Sequence, residues 1–415
     1  MFIIFIYLFI SLVSSNEIIN GTCGNNCQWY YSSNTQHLSI QGEGNMEDYS
    51  LTSPAPWSKY SNEIKTLNIS DGIISLGEYS FYQLTSLETI TFGSQIEEIK
   101  KYSFSECFSL TSISLPQSVK TLGKAVFMKC TSLEKIDLSE QMTSLPDKAF
   151  MDCSKLKEII LSDNIVELGM SVFNNCHSLT SIILSNQLNK IPTSCFTNCI
   201  SLKNIVLQQN IKTIGASSFL GCSQLTQVTI PNGITIIEEG AFAKTSISSI
   251  VIPESVKIID RGAFQHCHNL TDVILKNGLT TIKSDAFRSC IALEKIILPH
   301  TIETIEMSAF VECTSLKTVE YQGSREPECS NLVFDNNQNI EIHVGENYLS
   351  SYFCGKEIKG KADNNHDNTT LIVVLCILFI VVCIIIVVVV LMIMYIVMKK
   401  RITVPLSPSK YQQVI

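Results

Sequence analysis

Cysteine and histidine hold most of the reactive chemistry in this 415-residue chain, and their spacing decides what that chemistry can be. A cysteine can ligate a metal, attack as a thiolate or close a disulfide. Of the sixteen present, nine (Cys107, Cys130, Cys153, Cys176, Cys199, Cys222, Cys267, Cys290 and Cys313) each stand three residues after a phenylalanine. Leu84 and Thr245 fill the same column in two further copies. A position that accepts leucine or threonine is a packing position, so these thiols read as small buried hydrophobes. Cross-links within the column stay open in an oxidising compartment. Cys195 aligns with Ala149, Ala241 and Ala263 and is packing as well. Two pairs outside the column, Cys23 with Cys27 and Cys329 with Cys354, are the better disulfide candidates.

The triplet His266-Cys267-His268 has the residue types of a metal site, but its cysteine belongs to the buried column and its histidines are expected to face solvent. No glycine-rich phosphate loop, HExxH motif or nucleophile elbow occurs, and the carboxylates are scattered along the surface. The expectation is a protein with no catalytic residues, no metal and no cofactor.

What positions these residues is a repeat. Phenylalanine returns every 23 residues at Phe81, Phe104, Phe127, Phe150, Phe173, Phe196, Phe219 and Phe242, then after 22 at Phe264, then at Phe287 and Phe310. A period this strict means one unit copied about eleven times and stacked, because a unit this short cannot bury its own apolar face. In one copy, Leu110, Ile113 and Leu115 alternate inward on a short strand, and Val119 and Leu122 return along the opposite side as extended or irregular backbone. The Ala-Phe-x-x-Cys segment predicts a helical turn. Stacked copies predict a parallel β-sheet on the concave face of a solenoid over 64–321, with caps over 16–63 and 322–354. The front lid draws on Trp29, Leu38, Ile40 and Trp57; the rear lid draws on Ile340, Ile342, Val344, Tyr348, Tyr352 and Phe353.

One strand position points out from that sheet. Through the middle of the stack it reads Ile160, Ile183, Val206, Thr229, Val251, Ile274 and Ile297, while the neighbouring outward column stays polar. An aliphatic stripe rimmed by polar groups predicts a protein-binding face. β-branched residues also favour strands for propensity alone, which is the competing explanation.

Two apolar blocks flank the repeats. Residues 1–15 end in Val13-Ser14-Ser15 and read as a cleaved signal peptide. Residues 371–398 carry no charge, and at 1.5 Å per residue they would make roughly 42 Å of helix, enough to span a bilayer. Lys399, Lys400 and Arg401 follow at once, which predicts a polar stalk over 355–370, a transmembrane helix over 371–398 and a cytoplasmic tail over 399–415. The expected place is the plasma membrane with the repeats outside. Removing the tail's four cations (Lys410 is the fourth) from the formal charge of −8 leaves −12, which disfavours nucleic acid as a partner. Sequons at Asn20, Asn68, Asn269 and Asn368 predict glycosylation. In the tail, Tyr411-x-x-Val414 resembles a tyrosine-based sorting signal, which implies a clathrin adaptor as a cytosolic partner.

The recurring pattern Ile-x-Leu-Pro-x-x-Val-x-x-Ile-x-x-x-Ala-Phe-x-x-Cys-x-x-Leu resembles the 23-residue leucine-rich repeats of BspA-like surface proteins. The opening Cys23-Gly24, Trp29, Leu38-Ser-Ile40, Gly42, Gly44, Met46 and Pro56-Trp57 is similar to that family's first segment, so the likeness runs from 23 to about 353. It implies adhesion to host cells, matrix or other microbes, and it supplies no catalytic residues. An endocytic or phagocytic receptor working through Tyr411, and a passive surface coat, are the alternatives.

Overall fold

The computed structural model describes residues 18–337 and 339–359, together with residues 379, 380, 384 and 386. The chain divides into two compact units, Met1–Ile358 and Lys359–Ile415.

The first unit begins with an antiparallel meander, Ile18–Gly24, Cys27–Ser32 and His37–Gly42. The last of these strands then pairs in parallel with Thr66–Ile69, aligning Leu38 with Leu67 and Ile40 with Ile69. From there the chain winds as a parallel β-solenoid. Each turn adds a strand at the 23-residue interval, so Ile113 faces Ile136, Ile159 faces Ile182 and Ile296 faces Val319. The inward pairs Ile113/Leu115 and Ile159/Leu161 are buried, as the alternation requires. A parallel pair normally needs a crossover of a dozen or more residues, usually a helix. Here a second ladder of two-residue strands makes the return. Seven of these, from Lys190–Ile191 to Glu328–Cys329, pair continuously.

The Ala-Phe-x-x-Cys segment is not the helical turn expected from its composition. Two residues before and two after each phenylalanine, the backbone takes positive φ in every copy, from Tyr79 (53°) and Gln83 (60°) to Leu332 (61°) and Asn336 (59°). The phenylalanine amide between them donates to the next turn, as in Phe196 N to Ser218 O (2.8 Å) and Phe219 N to Ala241 O (2.8 Å). A helix would need unbroken right-handed φ and amides bonded four residues back. Amides committed to the neighbouring copy exclude it, and a third hydrogen-bonded column results. Across the repeats of this unit no α-helix is found among the described residues, and the single 3-10 turn, Ser58–Tyr60, lies in the front cap.

The phenylalanines form a continuous offset stack. Neighbouring centroids from Phe81 to Phe310 lie 5.0–5.8 Å apart with planes within 18°. Trp57 closes the front at 5.8 Å from Phe81, and its indole N–H donates to Ser80 O. At the rear the stack runs one ring further than the period showed. Phe334 packs 5.5 Å from Phe310, and Phe353 then covers it. The segment 322–344 is therefore a twelfth turn, with Glu328–Cys329 and Glu341–Val344 extending both ladders. Its spacing of 24 from Phe310 hid it.

The cysteine column has a role beyond filling space. Each thiol donates to the carbonyl of the phenylalanine one turn back, for instance Cys130 Sγ to Phe104 O (3.2 Å) and Cys199 Sγ to Phe173 O (3.2 Å). That buried carbonyl already accepts its own turn's amide, as Phe127 O does from Cys130 N, so the thiol satisfies the second lone pair. Asn337 does the same for Phe310 in the last turn, and Thr245 Oγ1 bonds Phe242 O and Cys267 Sγ. Ten cysteines of the described residues are free and buried, so the column carries no cross-link. Cys153→Thr is expected to melt within a few degrees of the wild type. Cys153→Ala leaves a cavity and an unfilled acceptor and should cost about 1–3 kcal/mol. Equal melting of the two variants by circular dichroism would count against the hydrogen-bonding role.

In the second unit, residues 379, 380, 384 and 386 are helical. No helix among the described residues is long and apolar enough to cross a membrane. Residues 1–15, Asn368, Tyr411, Val414 and the 371–398 block apart from those four lie outside the described residues.

Candidate functional site

The strand ladder sets the geometry of its outer face. Because side chains alternate, burying Ile159 and Leu161 forces Ile160 outward, and the same holds in each copy. Ile160, Ile183 and Val206 are 67%, 60% and 71% exposed, and Thr229, Val251, Ile274 and Ile297 are exposed too. Strand pairing sets Ile160 beside Ile183, Val251 beside Ile274, and Ile274 beside Ile297. Val206 and Thr229 lie on stretches outside the paired strands, joined by an isolated bridge between Asn204 and Gln227 and by the Thr226 N–H to Lys203 O bond. An ion pair bounds each end of the stripe: Lys135 with Asp137 at 3.1 Å, and Lys295 with Glu320.

Both ladders are interrupted, but at different turns. Leu115 N bonds Asp137 O and Leu161 N bonds Ile183 O, but no such bond joins Leu138 to Ile160 among the described residues. The turns stay joined behind this gap through Ser144–Leu145 and Glu167–Leu168. A cleft of about 300 Å³ opens there, and Leu138, an inward residue, is only partly buried. A similar opening of about 430 Å³ lies between Val228 and Val251, where Val228 is likewise partly buried. No sequence signal marked these gaps, because Leu138 has the same type and register as Leu115.

The remaining sequence candidates fall elsewhere. Cys23 is joined to Cys27 (Cα–Cα 4.9 Å) in the front cap, and Cys329 to Cys354 (Cα–Cα 5.2 Å) at the rear. Asn20 is exposed on the first strand, Asn68 is half-buried on the outer ladder, and Asn269 is exposed in a turn. The His266-Cys267-His268 triplet does not converge: Cys267 is buried and donates to Phe242 O, while the two rings lie 5.7 Å apart outside. Among the described residues no group of three His, Cys, Asp or Glu side chains could hold a metal. Burial pushes the column thiols up, Cys130 to about 12 and Cys267 to about 11, which makes them poor nucleophiles at neutral pH.

A family model described as a BspA type leucine-rich repeat region, in six copies, matches residues 58–165, 143–271 and 235–352. The chain belongs to this family. The BspA-type match runs from residue 58 to residue 352. No curated protein matches the chain. Among solved structures it is similar to a leucine-rich repeat protein from Bacteroides ovatus, at 20% identity and TM-score 0.63 over 81% of this chain and 98% of that one. A leucine-rich repeat protein from Eubacterium ventriosum gives 21% identity and TM-score 0.54 over 83% and 98%. At these identities the likeness is one of fold. A BspA-type solenoid is typically a non-enzymatic scaffold for protein interaction.

Proposed function

We propose that this protein is a cell-surface adhesion or recognition protein that holds an extracellular protein ligand against the outward strand face. The observation that carries the reading is the run of exposed, mostly aliphatic side chains from Ile160 to Ile297 on the outward strand face, bounded by polar and charged neighbours. Exposed contiguous apolar surface costs solubility, and an interface is the usual reason to keep it. At about 4.8 Å per strand, the seven central turns span about 29 Å, within reach of an ordinary interface. Two disulfides support an oxidising compartment, and the uncharged 371–398 block followed by Lys399, Lys400 and Arg401 supports an anchored ectodomain with a cytosolic tail.

The test is Ile183→Asp with Val206→Asp. Both positions are solvent-exposed, so folding and secretion should be unchanged while adhesion of expressing cells to host cells, matrix or bacteria falls at least about tenfold. Undiminished adhesion by the double variant removes this face as the binding surface.

A further inference from the structure

The cleft between Leu138 and Ile160 has a chemistry that the rest of the outward face lacks. Its floor is apolar, made by Leu138, Ile159 and Ile165. Its rim carries Asp137, Glu140 and Glu158 against one cation, Lys135, which is already paired with Asp137. Glu140 and Glu158 have no ion pair among the described residues, although other carboxylates of the solenoid, Glu134 and Glu167 among them, are paired with lysines of adjacent turns. In the wall, the Ser162 hydroxyl oxygen is buried without a hydrogen-bond partner among the described residues. The ladder gap also leaves the Leu138 N–H and the Ile160 carbonyl unbonded to each other. The second opening, beside Val228, is lined by neutral side chains such as Gln209, Gln227, Asn232 and Ser249.

We propose that this first cleft is a specificity pocket for an arginine side chain of the protein partner. Three methylenes cover the apolar floor while the guanidinium meets the two carboxylates without ion pairs, Glu140 and Glu158, at the rim. The planar fork with five donors suits this acceptor-rich rim better than an ammonium does, so lysine is the weaker occupant. The exposed Ile160 beside the opening receives the residue next to the arginine. The surplus of carboxylates also draws a basic partner toward this end of the stripe and repels an acidic one. This inference rests on the reading of the outward face as the protein-binding surface, and it adds the chemistry of one anchor.

The test titrates the full-length protein with acetyl-Leu-Arg-Leu-amide and with the same peptide carrying citrulline, which is nearly isosteric with arginine and neutral. Methyl NMR reports Leu138, Ile159, Ile160 and Ile165. The arginine peptide should shift these methyls, with affinity weakened about tenfold for citrulline and for the Glu140→Gln/Glu158→Gln variant. Both glutamates are exposed, so an unchanged melting temperature verifies that the variant is folded. Equal affinity for the two peptides, equal affinity in the variant, or no shift at millimolar peptide overturns the proposal. The adhesion assay keeps the two readings apart. If Ile183→Asp/Val206→Asp abolishes adhesion while Glu140→Gln/Glu158→Gln leaves it intact, the binding face stands and the arginine pocket falls.

Discussion

Above about pH 9 the protein is expected to lose stability steeply and to unfold before its lysines are fully titrated. Ten thiols are buried and free, and desolvation raises their pKa in the folded chain. An unfolded cysteine ionises near 9.0, whereas burial pushes Cys130, Cys222 and Cys313 up to about 12 and Cys267 to about 11. A raised folded pKa means that the unfolded state gives up its proton first. The stabilisation is then complete below pH 9 and is lost as pH rises through the window up to about 12. Within that window each thiol costs about 1.4 kcal/mol per pH unit. The ten thiols all shift in the same direction, so their losses add and steepen the alkaline transition. Buried tyrosines add to the same trend, since burial and Glu63 push the Tyr31 hydroxyl up to about 12. The thiol share is isolated by converting Cys130, Cys153 and Cys176 to threonine, which Thr245 shows the column accepts. Circular dichroism against pH should then give a shallower alkaline transition. Superimposable curves for variant and wild type would mean that the thiols do not drive it.

Phe196→Ala is expected to cost about 3–5 kcal/mol, the usual range for removing a buried phenylalanine. Its ring is fully buried and stacks on Phe173 at 5.5 Å and on Phe219 at 5.4 Å, so one substitution breaks two contacts. In a solenoid each turn contacts only its neighbours, and stability is close to a sum of turn and interface terms. A central break should therefore divide the array into two blocks that unfold separately. Phe334→Ala at the rear removes a ring from the last turn and should fray only that end. Amide hydrogen exchange distinguishes the cases: two separately protected blocks for Phe196→Ala, and one block with an unprotected rear for Phe334→Ala. Equal exchange patterns in the two variants would show that the stack is not the element coupling the turns.

Much of this architecture was legible because a repeat reports its own alignment. Eleven phenylalanines in register place the core, and the alternation of Ile159, Ile160 and Leu161 then assigns the outward column without further information. What misled was local composition. Ala-Phe-x-x-Cys suits a helix, yet the decisive interaction is the phenylalanine amide bonding to a carbonyl in the next copy, a partner that periodicity does not display. The same reasoning explains the cysteines, whose column was evident while their acceptor, the carbonyl one turn back, was not. Phe334 was missed because its step is 24.

The sequence by itself determined the period, the inward and outward faces and the aliphatic stripe, because each depends on side-chain alternation within one short copy. Only the tertiary structure decided where the outer ladder parts, and with it the cleft at Leu138, Glu140, Glu158 and Ser162. The physical reason is that strand separation depends on how well successive turns stack along their whole length. Copies of nearly equal composition can therefore close at one interface and open at the next.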